Sequence, residues 1–61
     1  MKKAVQNIQA ILNKNGYDAG NPDGVMGQKT KTAIAAFQSD NGMDPTGEVD
    51  ETLVRALLAK K

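Results

Sequence analysis

The sequence predicts an all-α fold, a small three-helix bundle. Three observations carry that reading: apolar residues recur at helical spacing in three separate segments, no segment alternates like a strand, and one helix-stop signal occurs twice. At 61 residues the chain has room for a single domain, 1–61, whose core supplies only about 3–5 kcal/mol of net stability. Most apolar residues are therefore expected to be committed to packing.

In the first segment Val5, Ile8, Ile11 and Leu12 form one apolar stripe, with Lys3, Asn7, Asn13 and Lys14 left for solvent, so a helix is expected from about Lys2 to Asn15. In the second, Ala33, Ile34, Ala36 and Phe37 make the apolar face of a helix between Gln28 and Asn41, and the alanines let a neighbouring helix approach closely. Leu53, Val54, Leu57 and Leu58 share a face of a third helix, from Glu51 to about Lys60, with Asp50 as its N-cap. Phe37 belongs to the core on this reading, as an aromatic on an apolar stripe usually does.

The stop signal Asn15-Gly16-Tyr17-Asp18 is echoed by Asn41-Gly42-Met43-Asp44, and the start signal Gly24-Val25-Met26-Gly27 by Gly47-Glu48-Val49-Asp50. In each stop the glycine can turn left-handed just past the helix end while the apolar residue after it folds back on the last turn. The bundle is thus an overlapping helix-loop-helix repeat in which the middle helix ends one unit and begins the next. Its loops are unequal, since Gly16 to Gly24 is three residues longer than Gly42 to Gly47. The surplus is not needed to reverse the chain, so the long loop Tyr17–Met26 is the better place to look for function.

Composition removes several functions. With no cysteine and no histidine, the commonest metal ligands and the commonest general base are missing, and no enzyme activity, cofactor or metal is expected. The stretch Ala19-x-Asn21-x-Asp23-Gly24 resembles the start of a calcium loop, but its first ligand position is Ala19 and its twelfth is Thr30, so the two strongest carboxylates are absent. Asp40, Asp44, Glu48, Asp50 and Glu51 read as caps and solvated charge. A formal charge of +1 with mixed signs gives no reason to expect nucleic acid or an anionic membrane as partner, and Lys29 and Lys31 alone make no basic recognition face. No apolar run approaches a membrane span, and Met1-Lys2-Lys3 is not followed by the core of an export signal.

The run Gly16-Tyr17-Asp18, then Asp23-Gly24-Val25-Met26-Gly27, Thr30, Ala33, Phe37-Gln38, Asn41-Gly42-Met43 and Thr46-Gly47 resembles the peptidoglycan-binding domain often attached to bacterial and phage cell-wall hydrolases. The likeness runs from about Val5 to Leu58. It departs at Leu53, where the family usually has threonine, and at Met43, where leucine is more usual. The resemblance implies a three-helix fold and a non-catalytic module that attaches a partner enzyme or protein to peptidoglycan, by its glycan or its stem peptide. Such a module is expected to be monomeric, to work in the cell wall or outside the cell, and to be linked to a wall hydrolase in a longer parent chain. A small helical protein-docking module and a three-helix DNA-binding domain are the alternatives.

The candidate ligand-binding residues are Tyr17, Asp18, Asn21 and Asp23 on the long loop, with Gln38 and Asn41 expected nearby. Tyr17 combines an anchored ring with a hydroxyl able to face outward, and the others offer amides and carboxylates to an amide- and hydroxyl-rich polymer. Should this face not bind, the exposed side of the third helix around Arg55 is the next candidate.

Overall fold

The computed structural model describes residues 2–60. Helix α1 spans Lys2–Lys14, α2 Gln28–Asp40 and α3 Glu51–Lys60, with no strand among the described residues. Each of the first two helices ends one residue before the expected boundary because Asn15 and Asn41 serve as caps.

Both caps are built alike. Past α1, Gly16 takes φ +90°, its N–H donates to the Asn13 carbonyl (3.2 Å), and the Tyr17 N–H donates to the Leu12 carbonyl (2.8 Å). Past α2, Gly42 takes φ +72°, its N–H donates to Ser39 O (3.2 Å), and the Met43 N–H donates to Gln38 O (2.8 Å). This paired bonding satisfies carbonyls that a helix end otherwise leaves orphaned. The cap asparagines add one bond each, Asn15 Nδ2 to Ile11 O and Asn41 Nδ2 to Phe37 O, both 2.8 Å. The start of α3 is closed by Asp50, whose Oδ1 accepts the Leu53 N–H at 2.8 Å, whereas Gly27 at the start of α2 offers no side-chain cap.

The core joins Ile8 and Leu12 of α1, Ala33, Ile34 and Phe37 of α2, and Leu53 and Leu57 of α3, with Ala19 of the long loop as its only non-helical member among the described residues. Helix α1 contacts both of the others. Tyr17 and Met43, the residues that fold back from the two stops, pack against this cluster. The Tyr17 ring meets Phe37 edge to face, with centroids 5.6 Å apart and planes at 85°.

Candidate functional site

The long loop is pinned along the side of α1 by two amide side chains. Asn13 accepts the Ala19 N–H at its Oδ1 (2.8 Å) and donates from Nδ2 to the Gly20 carbonyl (2.8 Å). Gln9 accepts the Gly24 N–H (2.9 Å) and donates to Val25 O and to Thr30 Oγ1, both at 2.9 Å. Thr30 in turn donates its own hydroxyl to Ala19 O (3.0 Å). Gln9 is 1% exposed and Thr30 2%, so the loop rests on a buried polar network, with no buried side-chain polar atom left unpartnered among the described residues.

Above this network lies an open depression of about 180 Å³. Gln9, Ala19 and Thr30 form its floor, and Asn21, Asp23 and Lys29 stand at its rim. Asp23 shapes the rim as well as lining it, because its Oδ1 accepts the Val25 N–H at 2.9 Å. Asp18 lies just outside, bonded to the Gly20 N–H (3.1 Å) and paired with Lys29 Nζ (3.1 Å). The Lys29 ammonium, followed by the Gly20 N–H, holds the Asp18 carboxyl below the usual carboxylate range. With the uncapped start of α2 on its wall, the depression offers amide, carboxylate and ammonium groups to a polar ligand.

The six residues expected at one site do not all meet. Asn21 and Asp23 line the depression and Asp18 borders it. Tyr17 reaches the other end of α2, where its hydroxyl donates to Asp40 Oδ2 at 2.6 Å. That bond, with desolvation and the Asp40 charge behind it, raises the phenol above its ordinary pKa.

Gln38 requires a correction. It is 1% exposed, and its amide is spent on the short loop, donating to Thr46 Oγ1 (3.1 Å) and accepting the Gly47 N–H (2.9 Å). Asn41 is exposed, and its side-chain N–H closes its own helix as Asn15 closes α1, a duty common to both repeats.

Gln9, Asn13 and Lys29 are the site-building residues that the loop-centred reading passes over. Gln9 left a signal, since Val5, Gln9 and Leu12 share one row of α1 and a polar residue in a buried row demands partners.

The family model described as a peptidoglycan binding domain matches residues 2–57. The chain is 50% identical over 48 residues to the localization factor PodJL of Caulobacter vibrioides, an alignment covering 77% of this chain and 5% of that protein. It is 34% identical over 61 residues to the carboxy-terminal processing protease CtpB of Bacillus subtilis, covering 93% of this chain and 13% of the relative. The chain thus spans a small part of the curated relatives it matches, and no solved structure matches it. A helix, stop, loop, start and helix in overlapping repeat, matched by the family model over nearly its whole length, place the chain in the peptidoglycan-binding domain family.

Proposed function

We propose that this domain holds a larger protein, an enzyme among the possible cargoes, on cell-wall peptidoglycan through the long-loop face, and carries out no reaction itself. The observation that carries the reading is the pinned loop. Gln9 and Asn13 fix its backbone before any ligand arrives, so Asn21, Asp23, Asp18 and Lys29 present a shallow, ordered polar surface. Such a surface suits the amides, hydroxyls and carboxylates of a glycan strand or stem peptide. Affinity per site is modest, and a wall carrying many copies of the ligand supplies retention. Tyr17 extends the same face toward the end of α2, where its bond to Asp40 fixes the ring. The great length of the relatives agrees with a small anchoring unit within larger proteins, and the reading puts the domain at the cell wall.

The test is sedimentation of the purified domain with insoluble peptidoglycan sacculi. Asn21→Ala combined with Lys29→Ala changes two exposed side chains and is expected to weaken binding about tenfold, equivalent to ~1.4 kcal/mol, with the helical circular dichroism unchanged. A folded double variant that sediments like the parent would move the site away from the long loop, with the Arg55 face of α3 tested next.

A further inference from the structure

A second surface lies across α1 from the long loop. Ala4, Ile8 and Ile11 of α1 and Val54, Leu57 and Leu58 of α3 enclose an apolar groove of about 150 Å³, which continues past Leu58 over Ala10. Ile8 and Leu57 are its buried floor, while Leu58 stands 51% exposed at its lip, the most exposed leucine of a chain that otherwise hides its leucines. Asn7 lines the groove two positions before Gln9, about 200° around the helix from it, so the groove and the pinned loop occupy opposite sides of α1.

Charge at the rim says what fits. Lys3, Asn7, Ala10 and Lys14 follow one another at spacings of four, three and four, a single row on α1 whose middle pair lines the groove and whose lysines stand about one turn beyond it at either end, and α1 contains no acidic residue. Neither lysine meets a carboxylate among the described residues. On the α3 side, Glu51 and Arg55 are paired with each other at 3.6 Å, leaving the α1 lysines to set the sign of the rim. Across an isologous contact a second copy would bring like-charged rows together. From Ala4 to Ile11 the groove is roughly 10 Å long, enough for two apolar anchors one or two turns apart on a helix.

We propose that the α1/α3 groove docks an acidic amphipathic helix of a partner protein, with the partner's apolar stripe on Leu58 and Ile11 and its carboxylates on Lys3 and Lys14. The opposed placement lets the domain carry such a partner while its loop face engages the wall, and the docking does not depend on what the loop face binds.

The test uses the isotope-labelled domain and a synthetic amphipathic peptide of about 14 residues with leucines at helical spacing and glutamates between them, its lysine-for-glutamate counterpart serving as control. Saturable amide shifts at Asn7, Ile11 and Leu58 are expected with the acidic peptide alone. Leu58→Asp, or the exposed pair Lys3→Glu and Lys14→Glu should the first variant lose its fold, weakens that binding by about tenfold and leaves sacculus sedimentation as it was. Absence of saturable shifts, equal binding of the basic peptide, or shifts confined to the long loop would each overturn the proposal. So would self-association of the parent domain abolished by Leu58→Asp, which would give the groove to a second copy.

Discussion

Replacing Gln9 by alanine should cost this domain most of its stability, although the residue is polar. The side chain makes three hydrogen bonds, to Gly24 N–H, Val25 O and Thr30 Oγ1. At about 1 kcal/mol net for each, their loss comes to ~3 kcal/mol, and the methylene removed from a 1% exposed position adds ~0.8 kcal/mol. Water reaching the edge of the loop can recover part of this, because the Gly24 and Val25 contacts are only partly buried. A loss of about 3 kcal/mol stands against a total of about 3–5 kcal/mol for a core of this size, so the variant should sit close to its unfolding midpoint at room temperature. Urea titration followed by circular dichroism measures the loss, with Gln6→Ala, exposed on the same helix, as a control expected to stay within about 0.5 kcal/mol of the parent. A Gln9→Ala loss below about 1 kcal/mol, with the Gly24 amide still protected from hydrogen exchange, would show that the loop holds its shape without this brace.

The two loops should also respond differently to added side chains: Gly16→Ala meets open space and pays only for its φ of +90°, about 1 kcal/mol, whereas Gly47→Ala pays a similar φ cost and also drives its Cβ to 3.2 Å from the Lys31 carbonyl. Chemical denaturation should rank Gly47→Ala as clearly the worse, and equal losses would refute the close approach. Stability should further have one acid and one alkaline limb with separable causes. The Asp18 pKa is lowered in the fold, so its contribution is complete above the ordinary carboxylate value of about 4 and is lost as pH falls through the folded value; Asp18→Asn should flatten that limb. The Tyr17 pKa is raised, so its contribution is complete below the ordinary phenol value of about 10 and is lost as pH rises through the folded value; Tyr17→Phe should flatten this limb alone. Tyr17 is the single tyrosine, so phenolate absorbance reports it directly, and a midpoint at or below about 10 would contradict the Asp40 bond.

The helices and their stops were legible because their signals are local. A stripe such as Val5, Ile8, Ile11 and Leu12, or an Asn-Gly pair followed by an apolar residue, names its own structure within a few positions. The two glutamines were not legible in that way. Gln38 sits beside Phe37 in sequence and reads equally well as a ligand contact or a brace, and only the fold brings Thr46 and Gly47 onto it. The bonds of Gln9 lie 15 to 21 residues away and depend on where the long loop comes to rest. Tyr17 and Asp18 are neighbours in sequence, yet they engage opposite ends of α2, a separation set by the path of the loop and not by the spacing of the residues.

Gln9 lies seven residues before Gly16 and catches Gly24, eight residues beyond it; Gln38 lies four before Gly42 and catches Gly47, five beyond. Three additional loop residues thus go with a glutamine three positions earlier, close to one helical turn of about 3.6 residues. The hairpin behaves like a zip fastener whose slider stops at whole turns. A longer loop could then be installed in this scaffold by adding three or four residues and moving the glutamine back one turn, while an insertion of one or two residues would point the amide away from the glycine it has to hold.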